Sequence, residues 1–568
     1  MPTQRPSDAE MQRRRRVAIG AVAGVFVLIL FGTLVCGDDG GRAVARDYSK
    51  QWAAQNFQGM YDLLSEESKK QISFEQFSQD QRQALATATV RRLTAHDPKD
   101  FQDGSVTVPF TVETRAFGTL KLDARIPLTD DATDAKVKWQ TSLLLPGLRA
   151  GEQLSRQTSL APRASIYASN GQALAEGPNR TSTIPDVAKE IAGSLGTPDG
   201  GIGLTLQAYG YPADAKVGIS GLEKIFQTQL AGTPGGTLLA GSRTLARTTP
   251  RAGRSVNSTI VPSVELAASA ALAGREGGAV AMNPTTGAVL ALAGSAFSET
   301  APPGSTFKII TAAAVLESHA ATLKSTYPYE TQALLDGRPV QNAGGETCGG
   351  TLVQSFANSC NSVFAPLGVK VGSARLVEMA EKLGFNKPFA NIPNAALSTI
   401  PHADQIQGED ATGTTAIGQG QVMASTLAMT GIAATVANKG LRVQPTLQKG
   451  TRPQSSRAFS PKIASDLKQM MLAVVRYGTG TSAAITGASV AGKTGTAEIR
   501  DTVPADPNDP NAPSANDPAN TDAWFVAFAP AWAPRVAVGV FLAGAGHGGD
   551  TAAPAARDIF LEALKKNR

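Results

Sequence analysis

The sequence predicts a multidomain chain that joins an α+β domain to a larger α/β domain behind an N-terminal transmembrane helix. Three observations carry this expectation. The 568 residues suffice for about three or four domains. Residues 17–36 hold no charged side chain. Near Ala86 the helical spacing of apolar residues gives way to strict alternation.

The N-terminus comes first. VAIGAVAGVFVLILFGTLVC, residues 17–36, would span the roughly 30 Å hydrocarbon core of a bilayer at about 1.5 Å per residue. Arg13 to Arg16 precede it and place that end in the cytoplasm. Residues 1–16 are therefore expected as a cytoplasmic basic tail, and residues from Gly37 onward outside the membrane. A cleaved signal peptide is the competing reading, since 43-AVA-45 offers a cleavage site, but the apolar stretch exceeds the usual signal core. A lipoprotein reading of Cys36 meets a bulky Val35 where a small residue is needed. About half of the formal charge of +6 sits in the basic tail, and no basic stripe with interleaved aromatics follows, which argues against nucleic-acid binding.

Residues 42–145 read as the α+β domain. Tyr48, Trp52, Phe57, Met60, Leu63, Leu64, Ile72, Phe74 and Phe77 recur at near-helical spacing. Val106, Val108, Phe110 and Val112 then alternate, as do Leu120 to Leu128, with Val137, Trp139 and Thr141 after a DDATD turn. About four antiparallel strands are expected. Residues 150–250 mix short strands with Gly- and Pro-rich turns, and in 221-GLEKIFQTQLAGTPGG-236 Leu222, Ile225, Phe226 and Leu230 line one helical face. Residues 255–568 read as one α/β domain. Within it, 501–522 is almost all Asp, Asn, Pro, Ala and Ser and is expected as a mobile loop.

Cys348 and Cys360 are the cysteines beyond the apolar stretch. An oxidising compartment permits a disulfide between them, worth roughly 3 kcal/mol in the chain-entropy treatment; two packed free thiols are the alternative. The four histidines are scattered, without CxxC or HExxH, so no metal and no cofactor is expected.

The stretch 302-PPGSTFKIITAAAVLES-318 raises a chemical question. Proline, glycine and serine open a helix, and Lys308 falls among Phe307, Ile309 and Ile310. Ser305 and Lys308 would share a face. Burial and the positive end of the helix would depress the lysine pKa, making a general base beside a nucleophile. An isolated S-x-x-K is more often a helix with a snorkelling lysine. Here 359-SCN-361 follows in a segment reading as a loop at a helix, and 490-VAGKTGTAE-498 reads as a strand. That order of motifs is the signature of penicillin-binding proteins and serine β-lactamases.

PPGSTFK, SFANSCN, AGKTGTAE, 417-IGQGQVMASTLAMTGIAATVANKG-440 and 523-AWFVAFAP-530 together resemble a class B penicillin-binding protein, a monofunctional peptidoglycan D,D-transpeptidase with a serine β-lactamase-like fold. SCN with its cysteine resembles actinobacterial members. Residues 42–145 resemble the NTF2-like domain, and 150–250 the pedestal or dimerisation module, of such proteins. The pedestal motif departs from its usual R-G-x-I-x-D-R-x-G: 163-RASIYASNG-171 keeps Arg163, Ile166 and Gly171 but has Ala164, Ala168 and Ser169.

The resemblance implies that Ser305 attacks the penultimate D-Ala carbonyl of a stem peptide ending in D-Ala-D-Ala, and that Lys308 takes its proton. Ser359 would relay protons, with Lys493 holding that network, and Asn361 would bind the substrate amide and orient Lys308. Backbone N–H groups of Ser305 and Thr496 would form an oxyanion hole. Thr494, Gly495 and Thr496 would bind substrate, the threonine hydroxyls holding its carboxylate. It further implies acylation by β-lactams and membrane partners such as a glycosyltransferase. The alternatives are a D,D-carboxypeptidase, a serine β-lactamase or β-lactam sensor, and a non-catalytic cell-wall scaffold. A class A β-lactamase needs a deacylating carboxylate, and no E-x-x-L-N pattern lies between Asn361 and Lys493.

Overall fold

The computed structural model describes residues 39–565, apart from 100, 131–133, 453 and 500–517. The expected tail, the expected anchor at 17–36 and most of the loop 501–522 lie outside the described residues. Among the described residues no helix is long and apolar enough to cross a membrane. The chain forms two compact units. The first holds the described residues up to Ser159 with Gly201–Ala213 and Pro234–Pro250; the second holds Leu160–Gly200, Asp214–Thr233 and the described residues from Arg251.

In the first unit, helices Asp39–Ala53, Phe57–Asp62, Glu66–Gln71 and Phe74–Thr87 precede the strands. Asn56, Ser65 and Ser73 each cap the helix that follows by accepting a backbone N–H, which is why these short helices start where they do. Strand Ser105–Thr114 is the spine of a four-stranded antiparallel sheet, pairing with Thr119–Pro127 on one side and with Val90–Ala95 and Phe101–Gln102 on the other. Val106, Val108, Phe110 and Val112 all turn inward, and the Trp52 ring meets Phe110 edge-on at 5.2 Å.

The strand expected at 137–141 is not one. Val137 forms only isolated bridges to Leu64 and Leu128, and the chain then winds into a 3₁₀ turn, Thr141–Leu144. Leu143, Leu145 and Leu148 are all buried, a spacing that a period of two cannot satisfy. The Gln81 amide fixes the turn by donating to the Leu143 carbonyl (2.7 Å).

Residues 150–250 divide between both units rather than standing alone. Leu154–Ser159, Gly235–Ala240 and Arg243–Thr248 make a three-stranded antiparallel sheet in the first unit, with Leu238 and Ala240 in that unit's core. In the second unit, Ile166–Tyr167, Ala173–Ala175 and Val256–Asn257 form a small sheet. The helical face read at Leu222, Ile225, Phe226 and Leu230 spans two short helices, Gly221–Ile225 and Gln227–Ala231. Glu223 is almost wholly buried between two guanidinium groups, Arg163 (2.6 Å) and Arg180 (2.7 Å). The altered motif thus keeps an arginine contact, and Arg180 joins it from the following segment.

The second unit is built on a five-stranded antiparallel sheet in the order Val289–Gly294, Gly277–Met282, Val536–Leu542, Thr521–Ala529, Ala491–Glu498. Helices Pro262–Leu272 and Ala552–Ala563 pack with one face. Lys308–Glu317, Thr426–Ala437 and Pro461–Arg476 belong to the core on the other. Double coverage explains the unbroken apolar runs of the inner strands. Thr521 and Asp522, assigned to the loop by composition, instead open a fully buried strand. Asp522 is accommodated there because its carboxylate accepts the Gly544 N–H (3.0 Å).

Glu265 is buried on helix Pro262–Leu272 and accepts the Leu292 N–H of the outermost strand at 2.8 Å. Desolvation pushes its carboxyl up to about 7, and Glu190 adds to the effect. The folded state therefore holds this proton more tightly than the unfolded chain. The stability that this group contributes is fully present below the unfolded carboxyl value and is lost as pH rises from about 4.5 through about 7. Chemical denaturation of wild type should lose on the order of 3 kcal/mol across that window, and Glu265→Gln should flatten the loss.

Candidate active site

Pro303 ends an extended segment, and Gly304 turns the chain with φ +50°. A 3₁₀ turn, Gly304–Phe307, then runs into the α-helix Lys308–Glu317. Ser305 therefore sits in the 3₁₀ turn, three residues before the α-helix begins, rather than within the α-helix's first turn. The difference has a geometric consequence, because three residues per turn bring i and i+3 directly into line. Lys308 Nζ and Ser305 Oγ are 2.9 Å apart. Residues 308–316 are all buried, so the helix runs through the core, and Lys308 has no exposed surface.

Ser359 lies between helices Leu352–Ala357 and Asn361–Val371. Its φ is +60°, a left-handed conformation uncommon for a residue with a side chain. Three tethers hold it: Ser359 N–H donates to Phe356 O (3.1 Å), Cys360 N–H donates to Ser355 O (2.9 Å), and Cys360 is disulfide-bonded to Cys348. The sequence left the thiols as either bridged or free; they are bridged. In this conformation both oxygens of Ser359 face Lys308, the carbonyl at 2.6 Å and the hydroxyl at 3.3 Å.

Asn361 Oδ1 is also 2.6 Å from Lys308 Nζ. The amide orientation is unambiguous, because Nδ2 donates to the Gln341 carbonyl at 2.7 Å. A carbonyl only accepts, so the opposite end of the amide must face the lysine.

Lys493 comes from strand Ala491–Glu498, at the free edge of the five-stranded sheet. Its buried Nζ donates to Ser359 Oγ (2.8 Å) and to Thr494 O (2.9 Å). Desolvation drives the Lys308 amine well below its ordinary value, and the Lys493 charge pushes the same way. Desolvation alone brings Lys493 down to about 7. Lys308 Nζ sits 5.8 Å from the Phe364 ring centre, and Lys493 Nζ 5.6 Å from that of Phe356, so an aromatic face partly offsets each desolvation.

The edge strand approaches the serine turn closely. A Cβ on Gly495 would lie 2.8 Å from Pro303 O and 3.0 Å from Thr306 Cγ2, and one on Gly304 would lie 2.6 Å from Thr496 O. Only glycine permits either contact. The Thr496 carbonyl thus points out of the sheet toward Gly304. In an antiparallel strand a residue's N–H and C=O project to the same side, so the Thr496 N–H also faces the Ser305 turn. Thr494 hydrogen-bonds through its hydroxyl to that of Thr479, whose N–H donates to Ala357 O (3.1 Å).

Ser305, Lys308, Ser359, Asn361 and Lys493 form one hydrogen-bonded cluster, with Thr494, Gly495 and Thr496 on the strand beside it. Sequence reasoning missed Gln341, Thr479, Phe356 and Phe364. The two phenylalanines carry the apolar spacing of core residues, and Gln341 contributes only its backbone, so neither had a signal. Thr479 stands in 477-YGTGT-481, which reads as a turn.

A serine hydroxyl against a desolvated amine, beside the open edge of an antiparallel sheet, defines a serine-nucleophile acyl-transfer enzyme. Comparison with known proteins narrows the class. Residues 277–561 match the penicillin binding protein transpeptidase domain, and residues 41–152 the NTF2-like N-terminal transpeptidase domain. The chain belongs to the penicillin-binding protein transpeptidase family. The peptidoglycan D,D-transpeptidase PbpA of Mycolicibacterium smegmatis is 33% identical over 382 residues, spanning 56% of this chain and 74% of its own. The imipenem acyl-enzyme of penicillin-binding protein A from M. tuberculosis superposes with a TM-score of 0.55 at 28% identity, covering 71% of this chain and 99% of that one. The D,D-transpeptidase domain of a peptidoglycan glycosyltransferase from Eggerthella lenta gives 0.58 at 27% identity, covering 72% and 99%.

The Cys348–Cys360 bridge closes a short loop beside Ser359 (sequence separation 12). Cys348→Ser/Cys360→Ser should destabilise the second unit by roughly 3 kcal/mol, measured as a shift of its transition in denaturant.

Proposed function

We propose that this chain is a membrane-anchored peptidoglycan D,D-transpeptidase, cross-linking stem peptides through an acyl-enzyme on Ser305. One observation carries the reading. Lys308 Nζ meets two oxygens that can only accept, Ser359 O and Asn361 Oδ1, each at 2.6 Å. A neutral amine has two N–H bonds, and these two acceptors take both. The lone pair is left for Ser305 Oγ at 2.9 Å, whose O–H then donates to it.

In this reading Ser305 Oγ attacks the carbonyl carbon of the penultimate D-Ala as its proton passes to Lys308. A C–O bond forms, and the carbonyl oxygen becomes an oxyanion facing the Ser305 and Thr496 N–H groups, where a single donor is typically worth about 2.7–4 kcal/mol. Collapse breaks the C–N bond. The proton returns from Lys308 through Ser359 Oγ to the departing amine of the terminal D-Ala. Lys493 donates to Ser359 Oγ and so keeps a lone pair of that hydroxyl directed along the relay. The hydroxyls of Thr494 and Thr496 line the edge where the terminal carboxylate would lie. An amine of a second stem peptide then attacks the ester, with the same groups working in reverse. A β-lactam acylates Ser305 by the same first step, its ring amide replacing the peptide bond.

The uncharged stretch at 17–36 behind four arginines supports a single-pass membrane location, with the N-terminus cytoplasmic and the catalytic unit outside. There the enzyme would act on glycan strands supplied by a separate membrane glycosyltransferase.

Intact-mass analysis after benzylpenicillin treatment should show one stable adduct on Ser305 and none in Ser305→Ala; release within seconds would instead indicate a β-lactamase. Lys308→Ala should slow acylation by about 10²–10⁴-fold. Protonation removes the lone pair, so the wild-type acylation rate should fall as pH is lowered through the depressed Lys308 value. A pH-independent rate would overturn the role of the amine.

A further inference from the structure

The geometry points to Asn342 as a positioning residue, one that acts on acylation by holding Asn361. This inference rests on the transpeptidase reading above. Asn342 lies in 340-VQNAGGETCGG-350, at the end of the hairpin formed by Gln332–Leu335 and Arg338–Gln341. Its neighbour Gln341 supplies the carbonyl that orients the Asn361 amide.

Asn342 is buried, and both ends of its side chain are engaged. Oδ1 accepts the Ser362 N–H at 2.8 Å. Nδ2 donates to Glu330 O (2.7 Å) and Glu346 O (2.9 Å), and approaches Ser362 Oγ (3.2 Å). Two carbonyls at one end and an N–H at the other leave one possible orientation. The Asn342 backbone N–H is held by Thr331 O at 2.9 Å. Residues 341 and 342 therefore grip residues 361 and 362 in parallel, backbone on side chain and side chain on backbone.

The grip matters because helix Asn361–Val371 has no side-chain cap from its own N-cap residue, Cys360. The first N–H groups of a helix need external acceptors, and Asn342 supplies one from across the fold. Without it, the start of the helix would keep only the Cys360 N–H bond to Ser355 O, the disulfide and Gln341 O. Asn361 could then turn its oxygen away from Lys308. The amine would lose one of the two acceptors that direct its lone pair toward Ser305.

The test is a double-mutant cycle on acylation by a fluorescent penicillin, resolving the dissociation constant from the acylation rate constant. Asn342→Ala should lower the rate constant about tenfold to a hundredfold, the scale of a 1 Å misplacement, while the dissociation constant stays within about twofold of wild type. In an Asn361→Ala background the same substitution should have almost no further effect, because its route to the lysine is already gone. Should the alanine variant fail to fold, Asn342→Asp serves in the same cycle. It keeps an acceptor for Ser362 but sets a carboxylate oxygen against the Glu330 and Glu346 carbonyls. A wild-type rate constant in the single variant, or an undiminished effect in the Asn361→Ala background, would overturn the positioning role. Failure of the unaltered chain to form an adduct would instead sink the transpeptidase reading itself.

Discussion

The second unit is organised around an amine that is buried without a counter-charge. Taking an ammonium out of water is costly unless it is paired or loses its proton. The oxygens bonded to Lys308 and Lys493 belong to hydroxyls, carbonyls and an amide. None of them carries the negative charge that would hold a proton on nitrogen most strongly. Glu223 in the same unit shows the opposite solution, a buried carboxylate matched by Arg163 and Arg180. At Glu223 the buried charge is matched by two guanidinium groups. At Lys308 and Lys493 the hydrogen-bond partners are uncharged.

That arrangement constrains the elements around it. The helix carrying Lys308 must be central enough to exclude water, so its buried faces are filled by Ala312, Ala313 and Ala314 among larger side chains. Thr311 is tolerated there because its hydroxyl finds Ala416 O at 2.6 Å. The sheet edge must come close enough to give Ser359 a second amine and the serine turn a second N–H. Gly304 and Gly495 leave room for that approach. The positive φ of Ser359 has the same origin: one residue must present both its carbonyl and its hydroxyl to a single nitrogen.

Much of this was readable from the amino-acid order because the decisive contacts are local or lie on regular elements. Ser305 and Lys308 are three residues apart, and the strand around Lys493 announces itself by its apolar flanks. The alternation at 106–112 fixed the inner face of the first unit's sheet for the same reason. What could not be read depends on partners distant in sequence. The run 137–141 alternates like a strand, but the leucines after it have to reach one core. Asp522 looks like loop until the Gly544 N–H is seen to donate to its carboxylate. The stretch 150–250 has the composition of one module, yet its strands complete hydrophobic surfaces in two units. Thr479 and Gln341 act across the fold, Gln341 through its backbone, which composition cannot reveal.

The part of the site built on Ser359 and Asn361 leans most on long-range support. The residues around Ser359 and Asn361 combine a left-handed serine with a helix start that lacks its usual cap, and two local backbone bonds, Ser359 N–H to Phe356 O and Cys360 N–H to Ser355 O, carry only part of the load. Each weakness is met from residues 330–348: the carbonyls of Glu330 and Glu346 orient Asn342, Gln341 aligns Asn361, and Cys348 ties down Cys360. A local sequence that made a good turn by itself would relax to an ordinary helix–loop–helix, and its oxygens would face solvent. Strain at such a site persists only where surrounding structure over-determines it. The hairpin and its disulfide are therefore as much a part of the lysine's environment as the side chains that touch it.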